Sequence, residues 1–436
     1  MEIIVYGLLL IAIAFLGSPL FAIIGAIALI AFHSAGIDTS AIIVEMYRLS
    51  SAPTLIAIPL FTFAGYMLAE SQTPKRLVAL SQAFFGWISG GLAVVALVSC
   101  AIFTAFTGTS GVTIIALGGL LYPILIREKY SEKFSLGMLT TSGSLGLLFP
   151  PSLPLILYSM VASNSRSGGA VPDVSIDKLF VAGLLPGILL VVMLSVYSIR
   201  QGKKTHVPKI AFAWNNIFSA VKDAAWEIPL PFLIIGGIYG GLFTATEAAA
   251  VTAFYVLIVE VFIYRDLKLF SDIPRIMKES MVLVGAILVI LGCAMGLTNY
   301  LIDEEVPMKL FQLIQEFISS KAVFLILLNI FLLIVGMMMD IFSAIIVVVP
   351  LIIPIATAYD VNPLHLGIIF LTNLEIGYLT PPVGLNLFIS SFRFEKPISE
   401  VVRATLPFIG ILLVALLLIT YVPDLSLWLV SLTSTQ

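Results

Sequence analysis

Two stretches decide the fold of this chain, SGSLGLLFPPS (142–152) and EIGYLTPPVGLN (375–386). Each places two prolines inside an apolar segment, and Pro150 and Pro381 are 231 residues apart. Proline lacks a backbone N–H and clashes with the carbonyl four residues before it, so each stretch predicts an interrupted helix. The same offset relates Tyr122-Pro123 to Ile353-Pro354, Gly146 to Gly377 and Gly65 to Gly296. Two related halves are therefore predicted.

The composition indicates an all-α integral membrane protein. The 436 residues are 60% hydrophobic and 11% charged, whereas soluble domains carry about 25% charged residues. Several apolar runs approach the length that crosses a bilayer as a helix. The net charge of -3 comes with no basic patch, so no nucleic-acid partner is expected. Cys100 and Cys293 are predicted to be buried apolar residues, and the three histidines show no metal-ligand spacing.

Each half is predicted to contain five membrane spans, one re-entrant helical hairpin and one broken helix. The first half, residues 1–199, holds a span at 3–16, a hairpin at about 91–126 and a broken helix at 134–161. The second half, residues 229–436, holds a hairpin at about 322–358 and a broken helix at 365–391. Between them, residues 200–228 are predicted to form an amphipathic connecting helix on the membrane surface.

The positive charges determine the predicted orientation, because cytoplasmic loops are enriched in Lys and Arg. With the N-terminus outside, 17 of the 22 Lys and Arg residues fall in inside loops. The other five are Arg48, Arg166, Lys178, Lys309 and Lys321. Since five crossings is an odd number, the second half is predicted to run upside down relative to the first, as an inverted repeat.

The two hairpin tips, at 107–111 and 336–343, are predicted to end inside the membrane. The returning helices begin near Val112 and Ala344, so their free N–H groups and positive dipole ends would favour an anionic group such as a carboxylate. Two thin full spans joined by a tight loop are the alternative for the first hairpin. The candidate substrate ligands are residues of the tips and breaks with polar side chains or an accessible backbone: Thr107, Gly108, Thr109, Ser144, Ser343 and Asn386.

The interrupted helices leave backbone carbonyls that lipid cannot satisfy, so they must be buried or bind a ligand. Neutral oxygen atoms suit a hard monovalent cation; a double proline that only shapes helix packing is the alternative. Asp340 in the second tip is an acidic residue at membrane depth, which is a functional hypothesis by default. It is predicted to coordinate sodium, carry a coupling proton or pair with a cation, and it is also placed to cap the following helix.

Two further carboxylates lie deep in the apolar sequence. Glu247 follows Thr246 at the start of a helix, and helix capping is the favoured role for it. Glu375 lies just before Gly377 in the second break, and the pattern leaves open whether it lines the cavity or serves packing.

The chain resembles the large membrane subunit (DctM/SiaM-like) of tripartite ATP-independent periplasmic (TRAP) transporters. The resemblance is carried by PLFTFAG (59–65), GTSG (108–111), SGSLGLLFPPSLP (142–154), TATEAAA (244–250), GMMMDIFSA (336–344) and TPPVGLN (380–386), and it extends over nearly the whole length. It implies an elevator-type transporter, in which a transport domain of hairpins and broken helices slides against a scaffold.

The resemblance also implies sodium-coupled uptake of an organic acid across the bacterial inner membrane, with the N-terminus in the periplasm. The implied partners are a small four-span membrane subunit and a periplasmic binding protein, with two or more sodium ions and no organic cofactor. C4-dicarboxylates and sugar acids such as sialic acid are the implied substrates. The positions that match the sodium sites are Ser110, Gly143, Gly146, Pro150, Gly336, Asp340, Thr380 and Gly384.

Other function classes fit the sequence less well. An intramembrane enzyme would need a nucleophile–base pair or metal ligands within the spans, and the sequence offers no such constellation. Channels use pores formed by several subunits, whereas two inverted halves suit alternating access. A stand-alone carboxylate or ion transporter of similar design, which needs no binding protein, remains the alternative.

Overall fold

A computed structural model describes residues 18–50, 53–88, 90–164, 174–204, 213–318 and 320–433. These residues form helices and turns and contain no strand. Seven of the helices are long and apolar enough to cross a membrane, and the number within the described ranges rises to eight when a pair bent by 45° is taken as one span. The predicted span at 3–16 lies outside the described residues.

The first half contains nine helices in its described part. They are α1 Leu20–Ser34, α2 Ser40–Ser50, α3 Ala57–Glu70, α4 Thr73–Phe85, α5 Gly91–Thr107, α6 Ser110–Arg127, α7 Glu132–Ser142, α8 Leu153–Asn164 and α9 Ile176–Lys204. A 3-10 turn at Pro53–Ile56 precedes α3, and a second one at Leu145–Leu148 lies between α7 and α8.

A short amphipathic helix, α10, leads into the second half. The helices that follow are α10 Trp214–Asp223, α11 Pro229–Tyr239, α12 Ala245–Ile258, α13 Asp272–Asp303, α14 Val306–Phe317, α15 Lys321–Met338, α16 Ile341–Ala358, α17 Pro363–Gly377, α18 Leu385–Phe394, α19 Ile398–Tyr421 and α20 Asp424–Thr433. A π-helical turn, Val259–Ile263, extends α12.

The outer ends of the two hairpins have the same backbone. Helices α6 and α16 both have 18 residues, and their starts at Ser110 and Ile341 are 231 residues apart. Two residues beyond the end of each helix, the backbone is left-handed, at Lys129 with φ 67° and at Asp360 with φ 57°. The hydrogen bonds also match, because Tyr130 N donates to Leu125 O at 3.1 Å and Val361 N donates to Ala356 O at 2.9 Å. The matched offset therefore extends to local conformation.

The described helices differ from the predicted bounds in three places. Residues 200–204 belong to α9, and α10 covers only Trp214–Asp223, so 200–228 is not one helix. Both predicted tips, 107–111 and 336–343, are too long: each tip is only two residues, 108–109 and 339–340, so α6 and α16 begin at Ser110 and Ile341 and not near Val112 and Ala344. Helix α20 was not predicted. Its short apolar sequence comes directly after α19 and Pro423, so in the sequence it looks like the frayed end of α19.

Polar residues begin several of the helices. Thr244 and Glu247 form a reciprocal capping box at the start of α12, which confirms the capping role of Glu247. Ser131 Oγ accepts from Phe134 N at 3.3 Å at the start of α7, and Asn362 Oδ1 accepts from Leu364 N at 2.9 Å at the start of α17. Each cap satisfies an N–H that the helix itself cannot pair.

Small residues allow the close helix packing that holds the broken helices in place. A Cβ added at Gly137 in α7 would lie 2.1 Å from Ala404 O in α19. In the second half, the backbones of Gly336 in α15 and Gly377 in α17 face each other, and a Cβ added at Gly377 would lie 2.5 Å from Gly336 C. Substitution by any larger residue would force these helices apart.

A buried charge cluster joins α4 to the second half. Arg76 bonds Glu227 through Nε, Glu260 at 3.2 Å and Asp266 at 2.8 Å. The side chains of Glu227 and Glu260 are 1% and 0% exposed. Burial lowers the pKa of Arg76, but Glu227 and Glu260 raise it more, so the net pKa shift is upward and the guanidinium stays charged.

We expect Arg76→Ala to destabilise the protein strongly. Removing one partner of a buried charge pair costs about 3–5 kcal/mol, because the remaining carboxylates lose their counter-charge. Thermal unfolding in detergent, followed by tryptophan fluorescence, measures the change. Arg275→Ala is the matched control, since Arg275 is 47% exposed and bonds the exposed Glu70 at 2.8 Å. Equal loss of stability in the two variants would contradict this role of the cluster.

Candidate functional site

The first broken helix is held against the first hairpin. Helix α7 ends at Ser142, and α8 begins at Leu153 after the cis bond between Pro150 and Pro151. Thr104 Oγ1 donates to Gly143 O at 2.9 Å. A Cβ added at Gly146 would lie 2.2 Å from Ala101 O, so the interrupted backbone touches the backbone of α5. The break is therefore packed within the protein, as a non-helical segment at membrane depth must be.

The tip of the first hairpin is buried in the protein. Gly108 turns the chain with φ 67°, and Thr109 is extended just before α6 begins. Thr107 is fully buried and Ser110 is 4% exposed. A Cβ added at Gly65 in α3 would lie 2.3 Å from Phe106 O, which shows how closely α3 approaches this tip.

The second hairpin tip bonds directly to the second break. Ile341 N donates to the hydroxyl of Tyr378 at 2.6 Å. Gly384 N donates to Met337 O at 3.2 Å, with Gly384 in the left-handed region at φ 53°. Asn386 N donates to Tyr378 O at 3.1 Å. The tip and the break thus form one hydrogen-bonded unit, which surrounds the cis bond between Pro381 and Pro382.

Asp340 caps the helix that returns from the second tip. Its Oδ1 accepts from Phe342 N and Ser343 N, both at 3.0 Å, and its Oδ2 accepts from the hydroxyl of Ser343. The residue itself is exposed. The capping role is thus confirmed, and an exposed carboxylate at the tip is also open to a further ligand.

One hydrogen bond brings the two halves together at the candidate site. Ser110 Oγ, at the start of α6, donates to Asn386 Oδ1 at 2.7 Å. Nearby, Arg393 Nε donates to Ile115 O at 2.9 Å, where α6 contains a π-helical turn. Two residues that are 276 positions apart in sequence, both predicted as ligands, are therefore neighbours in the fold.

Several predicted site residues lie apart from this contact or have other partners. Ser144 Oγ donates to Thr141 O at 3.4 Å, and Thr380 Oγ1 donates to Ile376 O at 3.0 Å. Pro150 lines an apolar cavity of about 270 Å³ between the first hairpin and helices α9 and α11. Its side chain therefore faces apolar groups, and only its backbone carbonyl oxygen remains available to bind a cation.

Several polar atoms around the breaks are buried without a partner. Among the described residues, the hydroxyls of Thr109, Thr141 and Ser152 and the amide nitrogen of Asn386 are buried and have no hydrogen-bond partner. Buried polar groups in native proteins are normally paired, so such atoms indicate a ligand or water. The described residues contain no cluster of three His, Cys, Asp or Glu side chains that would suit a transition metal.

Sequence reasoning missed three residues that organise the site. They are Thr104, which joins α5 to the break and lies 2.7 Å from Thr113 Oγ1, Tyr378, which holds the second tip, and Arg393, which crosses between the halves. Thr104 carried a usable signal, since a threonine one turn before a predicted tip is placed to bond the backbone. Tyr378 and Arg393 gave none, because their partners are remote in sequence.

Comparison with known proteins identifies the family. Residues 4–425 match the family described as the tripartite ATP-independent periplasmic transporter, DctM component. The C4-dicarboxylate TRAP transporter large permease protein DctM of Pseudomonas aeruginosa is 36% identical over 406 residues, which cover 92% of each chain. The ectoine TRAP transporter large permease protein TeaC of Halomonas elongata is 32% identical over 377 residues, 86% of each chain.

The fold also resembles that of a solved transporter. The crystal structure of the YdaH transporter of Alcanivorax borkumensis superposes with a TM-score of 0.63 and covers 87% of each chain. The sequences are 13% identical, so this similarity concerns the fold alone. Together with the apolar helices, the family match identifies a multi-pass inner-membrane permease and not an enzyme. This chain belongs to the DctM family, the large permease component of TRAP transporters.

Proposed function

We propose that this permease is a secondary active symporter that couples the uptake of a small organic acid to sodium entry. The observation that carries the proposal is the contact between Ser110 Oγ and Asn386 Oδ1, because it joins the first tip to the second break. The first tip presents the first turn of α6, whose N–H groups favour a carboxylate, whereas at the second tip Asp340 and Tyr378 already bond the first N–H groups of α16.

Sodium is the coupled ion of this proposal. Its binding groups are the exposed carboxylate of Asp340 in the second tip and the oxygens around Gly143, Gly146 and Ser110 in the first. The unpartnered hydroxyls of Thr109, Thr141 and Ser152 support this assignment. The positive charge of sodium would offset the negative charge of an incoming carboxylate. Without that offset, a carboxylate would be costly to hold within the membrane. The start of α6 would thus hold the carboxylate, and the Asp340 carboxylate would hold the sodium ion.

The transport motion is proposed to be of the elevator type, between two inverted repeats. Helices α1, α3, α12 and α13 pack on one another and would form the scaffold. The hairpins pack on the broken helices, α5 on the first break and α15 on α17, and would form the moving domain. Short helices α4 and α14 precede each hairpin and would act as the links. The matched loops at Lys129 and Asp360 support the two repeats.

The substrate class and the partners follow from the family. Relatives are named for C4-dicarboxylates and for ectoine, all of which carry a carboxylate, and the helix N-terminus at the first tip suits that group. A tripartite transporter has two other components, which we propose to be a small four-span membrane subunit and a periplasmic binding protein that delivers the substrate. Sialic acid, which also carries a carboxylate, is a second candidate substrate.

Uptake into liposomes tests this proposal. The purified membrane subunits are reconstituted, and uptake of a radiolabelled C4-dicarboxylate is measured with sodium or potassium outside and with or without the binding protein. We expect uptake only with sodium and the binding protein. Equal uptake with sodium and with potassium outside would contradict sodium coupling. Full uptake without the binding protein would favour the alternative of a stand-alone transporter.

A further inference from the structure

Glu375 is a buried carboxyl that neither sodium coupling nor helix capping explains. It lies in the last turn of α17, and the whole residue is 1% exposed. Both of its carboxyl oxygens are buried and have no hydrogen-bond partner. Every other acidic side chain that the structure buries, Glu227 and Glu260, bonds Arg76 among the described residues. Glu375 therefore differs in kind from the structural carboxylates of this fold.

The Ser144 hydroxyl of the first break lies near the Glu375 carboxyl, although its own hydrogen bond goes to Thr141 O at 3.4 Å. Ser144 is fully buried. Glu375 therefore lies on the helix that packs against the turn Leu145–Leu148 of the first break, where the two halves meet.

No described charge lies opposite Glu375 on the elements that pack against α17. Helix α16 and the turn Leu145–Leu148 contain no titratable residue. On α15, Lys321 donates to Asp360 O at 2.7 Å, and on α8 the Tyr158 hydroxyl donates to Pro363 O at 2.8 Å. The remaining titratable groups on these elements are Asp177, Lys178, Tyr197, Arg200, Lys203 and Lys204 on α9, Glu400, Arg403 and Tyr421 on α19, and Asp424 on α20.

A carboxylate in this position needs a positive ion. Burying an isolated charge in a medium of low polarity costs far more than any fold can offset, so such a group is neutralised by a partner or by a proton. Sodium would need several further oxygen ligands around this carboxyl. A proton needs only a carboxyl oxygen. The geometry therefore favours the proton over the metal ion at this site.

We propose that Glu375 is a proton-binding site of the moving domain, so that uptake carries a proton in addition to sodium. This rests on the proposed function and adds an ion to it. The proton binds one carboxylate oxygen when the site is open to one side, and it leaves from that oxygen when the site is open to the other. No other bond forms or breaks. The Ser144 hydroxyl is placed to accept from the protonated carboxyl or to donate to the ionised one.

Infrared difference spectroscopy of the chain reconstituted in lipid tests proton binding without substrate or sodium. We expect wild type to show a protonated-carboxyl band that falls reversibly as the pH is raised. Glu375→Gln should lack the band, whereas Glu375→Asp should keep a shifted one. Glu247→Gln is the control, since glutamine also completes a capping box. A spectrum of Glu375→Gln equal to that of wild type, or a band constant with pH, would overturn the proposal, as would loss of the band on adding sodium at fixed pH.

Proton movement during uptake is the second measurement. With a pH dye trapped in liposomes that contain both membrane subunits, and with succinate as the probe, wild type should acidify the interior when substrate, binding protein and sodium are added. Glu375→Gln should take up succinate with sodium but without acidification. Identical acidification in both proteins would contradict the proposal. If neither protein takes up succinate, the proposed function fails for that substrate, and the infrared spectra still decide on Glu375.

Discussion

Asp340→Asn is expected to reduce sodium-driven uptake tenfold or more while the protein remains folded. Asparagine is as good a helix N-cap as aspartate, so the hydrogen bonds to Phe342 N and Ser343 N can persist. What the substitution removes is the negative charge at an exposed position of the second tip. If the carboxylate binds sodium, the sodium concentration for half-maximal uptake should rise, since a tenfold loss of affinity corresponds to about 1.4 kcal/mol.

The comparison with Asp340→Ala separates the two roles of the residue. Alanine removes both the charge and the cap, and losing a cap costs about 0.5–2 kcal/mol of stability. We expect Asp340→Asn to unfold at the temperature of wild type and Asp340→Ala to unfold earlier, with both defective in uptake. Full uptake by Asp340→Asn at every sodium concentration would show that Asp340 serves only as a cap.

Gly65→Ala is expected to abolish uptake. The added methyl group would lie 2.3 Å from Phe106 O and 2.8 Å from Thr107 Cα, both backbone atoms of the first hairpin. Neither atom can move without shifting the tip, and overpacking of this kind costs about 1–3 kcal/mol or more. Because α3 is assigned to the scaffold and the hairpin to the moving domain, the conformation with this contact should become inaccessible. The uptake assay in liposomes measures the loss.

The other half of the chain supplies the control for Gly65→Ala. Gly296 occupies the matched position, but a methyl group there would lie 3.1 Å from Ile42 Cγ1, a side-chain atom that can move. Alanine also has a helix propensity about 1 kcal/mol better than that of glycine. Gly296→Ala should therefore transport normally and be at least as stable as wild type. Equal defects in the two variants would contradict the assignment of Gly65 to a moving contact.

Much of the fold could be predicted from local sequence. The double prolines marked both breaks, and the start of α7 was placed two residues from its observed position, because proline and capping residues act on their own neighbourhood. The seven long apolar helices followed from hydropathy. The bounds of α10 and α20 did not, since a short helix depends on tertiary packing more than on its own propensity.

The site was predictable only in part. Ser110 and Asn386 were both proposed as ligands from their tips and breaks, but their contact across 276 residues could not be derived from either stretch. The pairing of Arg393 Nε with Ile115 O needs the three-dimensional fold, since it depends on a π-helical turn that frees a carbonyl in the other half. Local chemistry identifies candidates, and only packing determines which of them meet.

The central claim is that the two halves have opposite orientations, so that the hairpins open to opposite sides of the membrane. Arg127 and Ala358 are the matched last residues of α6 and α16, both exposed, while the native Cys100 and Cys293 are buried. Arg127→Cys and Ala358→Cys are treated with an impermeant maleimide in right-side-out vesicles. We predict labelling of Ala358→Cys from outside and of Arg127→Cys only after permeabilisation. Labelling of both from the same side would contradict the account.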